Sequence, residues 1–177
     1  LLKQYPKNPE APMWRVRRVL CLQLQKKFEE AVAAATPLLE QIKDPQLVGE
    51  LQFLVGSSQA ELGQFDAAVE ALQASLAAAP EGRRAEQALL VLGQAQRKSG
   101  KLADAKATLG RLVKEFPKSD LLDEAHYWLA EIAAAEGDWA TAAAEYQRVI
   151  DNWPDSPLSS HALFGMGWVK LNQGDFA

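Results

Sequence analysis

The sequence predicts an all-α fold, and within it an α-solenoid of stacked antiparallel helix pairs with about four and a half repeats. Three observations support this expectation. The 177 residues include 30 Ala and 25 Leu but only 10 Val, 3 Ile and 3 Thr, and Ala and Leu favour helices whereas β-branched residues favour strands. A short turn motif recurs every 37 residues. Between the turns, apolar residues follow the three-to-four-residue spacing of amphipathic helices.

The turn motif is a Gly followed two positions later by an aromatic residue or Leu. It occurs as Gly63-Gln64-Phe65, Gly100-Lys101-Leu102, Gly137-Asp138-Trp139 and Gly174-Asp175-Phe176. Lys26-Lys27-Phe28 holds the same phase without the Gly, and a Pro follows three of the glycines by 17 residues, at positions 80, 117 and 154. Gly ends a helix at low cost and Pro cannot continue one. Each period therefore predicts a helix A, a tight turn, a helix B and a Pro-containing loop.

The repeat phase predicts every helix boundary. Helices A are expected near 13–25, 47–62, 84–99, 121–136 and 158–173, and helices B near 28–42, 65–79, 102–116 and 139–152. The corresponding repeats are 12–48, 49–85, 86–122, 123–159 and a partial 160–177, with 1–11 ending a preceding repeat, in a single array over 1–177. Asp44-Pro45 and Ser156-Pro157 predict an N-cap followed by Pro at the first helical position. Asp138 and Asp175 are expected to cap the helices B that follow them.

Charge and cysteine content exclude some classes of protein. The net charge is -4, which gives no overall footprint for nucleic acid. Residues 1–28 nevertheless carry seven Lys or Arg against one acidic residue, so this end either binds an acidic partner or membrane surface, or forms a solvated helix face. The single Cys21 permits no internal disulfide and, among apolar neighbours, is expected to be a buried thiol. No apolar run approaches the roughly 18 residues of a membrane span.

The repeated positions resemble the tetratricopeptide repeat (TPR). The match comprises Leu92-Gly93 in helix A with its counterparts at 55–56, 129–130 and 166–167, the Gly–aromatic turn, the Ala three residues later and the closing Pro. The TPR unit has 34 residues, and the three extra residues here fall in the loop after the Pro. The resemblance implies a TPR superhelix whose helices A line a concave groove that binds segments of partner proteins. It implies no cofactor.

A narrower resemblance concerns the loops. Phe116-Pro117-Lys118-Ser119 and Trp153-Pro154-Asp155-Ser156, with Asp123 to Leu129 after the first loop, look like those of bacterial cell-envelope TPR families, namely the Tol–Pal-associated periplasmic coordinator and the β-barrel assembly lipoprotein. This resemblance implies a bacterial source and a periplasmic or cell-envelope address.

No catalytic or metal-binding pattern is found in the sequence. His126 and His161 are 35 residues apart, and neither has further ligands at metal spacing. The glycines are single and periodic, so they form no phosphate-binding loop. Both histidines are expected to be groove or packing residues, and we expect a protein that is not an enzyme.

Two helix-A positions are candidates for contact with a partner. The first position is apolar in every repeat and holds Val16, Phe53, Leu90, Tyr127 and Phe164. The resemblance implies that this position faces the groove. The alternative is that its side chains pack between adjacent helices A. The second lies one turn later and varies: Leu20, Ser57, Gln94, Glu131 and Trp168. Arg97 and Lys98 add positive charge, and Trp128 and Trp168 have no aromatic counterparts in the other repeats. The expected partner-binding residues are Phe53, Leu90, Arg97, Lys98, Tyr127, Trp128, Phe164 and Trp168.

These features predict a protein–protein interaction scaffold that binds a peptide, helix or loop in its groove. The Lys and Asn clamp with which chaperone co-factors hold a terminal carboxylate is absent from both positions, which disfavours that ligand. Two alternatives remain open. The chain is a self-assembling module that forms homo-oligomers through exposed array ends, or it is the accessory repeat region of a larger protein.

Overall fold

The computed structural model describes residue 8 and residues 10–173, and within these it contains nine α-helices and no strand. The helices A are α1 (Ala11–Leu24), α3 (Pro45–Glu61), α5 (Ala85–Lys98), α7 (Leu122–Ala135) and α9 (Ser159–Gln173). The helices B are α2 (Phe28–Gln41), α4 (Phe65–Ala78), α6 (Leu102–Glu115) and α8 (Trp139–Asn152). Every end lies within two residues of the prediction, so the all-α helical-repeat fold is confirmed. The predicted turn and cap at 174–176 lie outside the described residues.

The chain divides into two compact units, residues 1–99 and residues 100–177. In unit 1, each of the five helices packs on the next, and α3 also packs on α1 and on α5. In unit 2, each of the four helices packs on the next, and α7 also packs on α9. In both units the helices A therefore lie beside one another as well as beside their helices B. The single array over 1–177 stays a prediction.

The turn between helix A and helix B has the same backbone conformation in four repeats. Gly63, Gly100 and Gly137 have φ of 74°, 77° and 76°. Lys26 holds the same position in the first repeat and has φ of 59°, the one positive value of a non-Gly residue in the described chain. A side chain costs energy in this left-handed conformation. The first repeat thus has the same turn, although it lacks the Gly that adopts positive φ without strain.

Two of the predicted helix N-caps are confirmed. Asp44 Oδ1 accepts hydrogen bonds from the backbone nitrogens of Gln46 at 2.8 Å and Leu47 at 3.3 Å, with Pro45 at the first helical position. Asp138 Oδ1 accepts one from the nitrogen of Thr141 at 3.1 Å. Hydrogen bonds from the side chain and then the backbone of Thr141, which favour the ionised carboxylate, lower the pKa of Asp138 below its ordinary value.

The prediction that Ser156 caps α9 with Pro157 at the first helical position is wrong, because the helix begins at Ser159. Ser156 Oγ accepts from the nitrogen of Leu158, and the nitrogen of Ser159 donates to the carbonyl of Ser156. These bonds close a turn before the helix begins at Ser159. Ser119 makes the same contact one repeat earlier, with the nitrogen of Leu121 at 3.2 Å.

The core of each unit consists of Ala and larger apolar side chains. In unit 1, Leu51, Leu54, Leu72 and Leu89 are completely buried. In unit 2, one core cluster joins α7, α8 and α9 and consists of Ala130, Ala133, Ala142, Tyr146, Val149, Ala162 and Val169. The small Ala side chains let adjacent helices approach closely, and the larger ones fill the space between them.

The expectation that Cys21 is buried is wrong, because its thiol is exposed. The equivalent positions Ser58, Ala95 and Ile132 are buried, and a helix B precedes each of those helices A. No helix precedes α1 within the described residues, so nothing there covers Cys21. None of the helices in the described ranges is long and apolar enough to cross a membrane.

Candidate functional site

In each unit we call the predicted contact positions its helix-A face. In unit 1 this comprises the apolar row at 16, 53 and 90 and the variable row at 20, 57 and 94, and in unit 2 the apolar row at 127 and 164 and the variable row at 131 and 168. In unit 1 the apolar row is buried: Val16, Phe53 and Leu90 are 2%, 8% and 5% exposed. These side chains therefore form a floor between α1, α3 and α5. A partner on this face would meet the side chains that surround the floor.

Polar side chains cover the floor of unit 1. Gln23 Nε2 of α1 donates a hydrogen bond to Ser57 Oγ of α3 at 2.5 Å, and Ser57 Oγ donates to the carbonyl of Phe53 at 2.7 Å. The guanidinium carbon of Arg84 lies 5.2 Å from the centre of the Phe53 ring, and Arg84 Nη2 is 3.7 Å from Glu50 Oε1. The side chains above the apolar floor thus provide amide, hydroxyl and charged groups.

The predicted basic pair lies at the end of α5. Arg97 is partly buried and Lys98 is exposed, and both are in the last turn of the helix. This placement is favourable because cations stabilise the negative C-terminal end of the helix dipole. Lys98 is therefore a cation that a partner can reach.

Aromatic side chains replace the polar cover in unit 2. The ring of Tyr127 is half-buried and meets Trp128 edge-on at 5.1 Å between centres. It also lies 6.1 Å from the ring of Tyr146 on α8 and 6.4 Å from that of His161 on α9. Tyr127 thus packs between three helices and leaves one part of its surface open.

Glu131, in the variable row, connects α7 to α8 through a hydrogen bond. Tyr146 Oη donates a hydrogen bond to Glu131 Oε1 at 2.5 Å. Burial raises the pKa of Tyr146 well above its ordinary value, and the hydrogen bond to the carboxylate raises it further. The folded structure therefore favours the neutral phenol of Tyr146.

His126 takes part in a second polar contact between α7 and α8. Its Nδ1 lies 2.6 Å from Glu145 Oε2, and Arg148 Nη1 donates to Glu145 Oε1 at 2.8 Å. The imidazole is 7% exposed and stacks at 5.6 Å from Trp153. His161 is exposed, with its Nδ1 3.1 Å from the carbonyl of Pro157. No group of three or more His, Cys, Asp or Glu in the described chain is placed to hold a metal ion.

The two remaining predicted residues are exposed on α9. Phe164 is 80% exposed, and Trp168, one turn later, is more than half exposed. Leu163 and Leu171 are also more than half exposed, and neither is among the partner-binding residues expected from the sequence. The sequence signal that could have identified them is their spacing. Leu163, Gly167 and Leu171 are each four residues apart, which places all three on one side of the helix.

Comparison with known proteins identifies the family. The family model described as tetratricopeptide repeat matches residues 53–120 and 90–157, which is more than half of the chain. The chain therefore belongs to the tetratricopeptide repeat family. No curated protein sequence matches it.

Solved structures show the same fold at low sequence identity. The BtubC (BKLC) protein from P. vanneervenii aligns with a TM-score of 0.82 and 16% identity over 98% of this chain and 79% of its own. A MamA protein aligns with a TM-score of 0.80 and 18% identity, over 95% of this chain and 85% of its own. YrrB is described as a TPR protein with an unusual peptide-binding site. It aligns with a TM-score of 0.78 and 18% identity, over 98% of this chain and 84% of its own. These likenesses concern the fold alone.

Proposed function

We propose that this chain is a protein–protein interaction scaffold, not an enzyme, and that the helix-A face of each unit binds an extended or helical segment of a partner protein. The observation that carries the proposal is the arrangement in unit 1. There α1, α3 and α5 lie side by side, and their buried apolar row supports a cover of polar side chains.

The polar cover suits the backbone of a bound segment. Gln23, Ser57 and Gln94 are partly exposed, and amide and hydroxyl groups both donate and accept hydrogen bonds. Such groups bind a peptide backbone largely independently of its sequence. Lys98 adds preference for an acidic residue in the segment. The peptide-binding site named for the structural neighbour YrrB supports this class of ligand.

The helix-A face of unit 2 offers a different chemistry. Tyr127 and Trp128 present half-buried aromatic surface, and aromatic anchors of this kind contribute strongly to protein interfaces. In this proposal the residues of unit 2 contact apolar side chains of a partner. Phe53 and Leu90 support the surface of unit 1 from beneath.

The proposal includes an address in the bacterial cell envelope. It is supported by the two Pro-x-Ser loops, whose Ser119 and Ser156 make equivalent hydrogen bonds. Fusion of a reporter to the protein in its source cell, followed by fractionation, tests this part by itself.

A peptide-display selection on the immobilised chain tests the binding site. For peptides that bind at 1 μM chain, we expect Gln94→Ala and Lys98→Glu each to raise the dissociation constant about tenfold, near 1.4 kcal/mol. The matched control is Lys114→Glu, which reverses an exposed charge in the last turn of helix B α6. Peptides that bind both α5 variants as tightly as the original chain would contradict the proposal.

A further inference from the structure

A cleft of about 220 Å³ opens in unit 1 where α3, α4 and the loop before α5 meet. We call it the α3–α4 cleft. Four residues of α3, two of α4 and three of the loop line it, all of them between Gln46 and Arg84. Pockets for drug-sized ligands have about 300–1,000 Å³, and one water takes up about 30 Å³. The cleft therefore has the size of a site for one side chain rather than for a whole small-molecule ligand.

Small residues create the cleft at positions where the later repeats carry larger side chains. They are Gly49, Ser75, Ala79 and Gly82. Their equivalents one and two repeats later are, in the same order, Glu86 and Asp123, Leu112 and Val149, Phe116 and Trp153, and Ser119 and Ser156. A Cβ atom at Gly49 would lie 2.7 Å from Cβ of Ala79, so α3 and α4 approach closely here and fill part of the space. The space that remains is the cleft.

A carboxylate of the chain itself lies at the equivalent place in unit 2. Ser156 Oγ, in the loop before α9, donates a hydrogen bond to Asp123 Oδ2 of α7 at 2.5 Å. Gly82 and Gly49 hold these two positions in unit 1. There the carbonyl of Gly49 accepts a hydrogen bond from Ser75 Oγ at 2.7 Å, but neither glycine supplies a side chain. Unit 1 therefore has room for a carboxylate that comes from another molecule.

The charged groups of the cleft favour an anion. Arg83 and Arg84 stand where the next repeat has an Asp and a Leu, and together with Glu50 they give the lining two positive charges and one negative charge. Arg84 Nη2 lies 3.7 Å from Glu50 Oε1, which is beyond hydrogen-bond distance. Arg84 Nε has no hydrogen-bond partner among the described atoms. The guanidinium of Arg84 therefore lines the cleft with N–H donors that the chain itself does not use.

We infer that the α3–α4 cleft binds the carboxylate of a Glu or Asp side chain that belongs to the partner segment. This inference rests on the proposed function, since it names the side chain that the segment presents to unit 1. The guanidinium carbon of Arg84 lies 5.2 Å from the ring centre of Phe53, in the apolar row, so the cleft adjoins the helix-A face of unit 1. A guanidinium binds a carboxylate through two parallel N–H bonds. Arg84 supplies these bonds, and Arg83, which is exposed, adds attraction from the solvent side.

Titration with a single blocked residue tests the cleft without any partner protein. The probe is N-acetylglutamate α-amide, with N-acetylglutamine α-amide as its uncharged counterpart, and ¹H–¹⁵N spectra of the 177-residue chain report binding. We expect a dissociation constant on the order of 1 mM for a ligand of this size, with the largest shifts at the amides of Gly49 and Gly82. Equal binding of the glutamine probe, or tighter binding of inorganic phosphate, overturns the carboxylate assignment.

Substitution of Arg84 separates the cleft from the general charge of the chain. Arg84→Leu introduces the residue that two later repeats carry at this position, Leu121 and Leu158, so it is compatible with the repeat. It should raise the dissociation constant of the glutamate probe about tenfold or more, because a charge-assisted contact is lost. Arg111→Leu is the matched control, since it removes a guanidinium that pairs with Glu115 outside the cleft, and it should change the constant less than about twofold. Equal weakening by the two substitutions overturns the inference.

Glu50→Gln is expected to act in the opposite direction. The Glu50 carboxylate attracts the guanidinium of Arg84 and repels an incoming carboxylate, so its neutralisation should tighten binding of the glutamate probe about three- to tenfold. The same titration measures the change. Unchanged or weaker binding would show that the carboxylate of the probe does not meet Arg84 beside Glu50, and would overturn the arrangement.

Peptide selection connects the cleft to the partner segment. Because Lys98 also favours an acidic residue, the selection is run on the Lys98→Glu variant. We expect the selected peptides to keep one acidic position, which Arg84→Leu in the same background removes and Arg111→Leu retains. Peptides that bind through α5 without an acidic position that depends on Arg84 overturn this inference and leave the proposed function standing. A cleft that binds the glutamate probe in a chain that selects no peptide contradicts the proposed function and leaves the carboxylate site standing.

Discussion

Gly165 and Tyr146 determine, as single residues, how closely α9 packs on α8. A Cβ atom at Gly165 would lie 2.4 Å from Cζ of Tyr146, and the ring is buried and held by its bond to Glu131. We therefore expect Gly165→Ala to lower the free energy of unfolding by about 1–3 kcal/mol, the range of overpacked cores. Urea denaturation followed by circular dichroism measures the change.

Gly167→Ala is the matched control for this substitution, since it makes the same change on the same helix in open space. Ala favours a helix over Gly, so we expect a gain of about 0.5–1 kcal/mol. Equal losses from both substitutions would show that helix α9, and not the contact with Tyr146, responds to the added methyl group.

Tyr146 also predicts a dependence of stability on pH. Its pKa is raised in the fold by burial and by the hydrogen bond to Glu131, whereas in the unfolded chain it is about 10. Above pH 10 the unfolded chain therefore loses a proton that the folded chain retains, and the free energy of unfolding falls as the pH rises. We expect Tyr146→Phe to have lower stability at pH 8 and a smaller further loss at pH 11. Parallel losses in both proteins, from urea midpoints at the two pH values, would contradict this role.

The A–B turn is the structural element in which one repeat departs from the others. Lys26 adopts φ of 59° where three repeats have Gly, and the left-handed conformation costs a side chain about 1–2 kcal/mol. We expect Lys26→Gly to raise the free energy of unfolding by about 1 kcal/mol after the added flexibility of the unfolded chain is subtracted.

Lys26→Ala separates the backbone effect from the loss of charge. It removes the same ammonium group but keeps a Cβ atom, so no comparable gain is expected. Thermal unfolding of the three proteins at matched concentration decides the question. A gain of the same size in Lys26→Ala would show that relief of repulsion with the adjacent Lys27 is responsible instead.

The helices and turns were predictable from sequence because the repeat supplies each signal several times. The exposure of individual side chains was not predictable from the sequence, as the apolar row shows. Phe53 and Phe164 hold equivalent positions, yet Phe53 is buried and Phe164 is 80% exposed. The difference depends on whether another helix A packs alongside, which no local pattern contains. Contact between His126 and Glu145 was unpredictable for a similar reason, because packing between two helices creates it.

On the scale of the whole molecule, a chain of helix pairs distributes its stability among neighbours, since each helix packs only on nearby ones. In unit 2, α9 packs on α8 and α7 alone among the described helices, and one side of it is exposed. We therefore expect α9 to open locally before α7 and α8 do, with faster amide hydrogen exchange.

Val169→Ala tests this local opening, because Val169 is completely buried in the core cluster of unit 2. We expect protection of the α9 amides to fall about five- to thirtyfold, or about 1–2 kcal/mol, while that of α8 changes less than about twofold. Leu163→Ala is the control, since it shortens an exposed side chain on the same helix and at 10 μM chain should leave exchange unchanged. If the protection of α8 falls in parallel with that of α9, the two helices open together, and the stability of unit 2 is global rather than graded along the repeats.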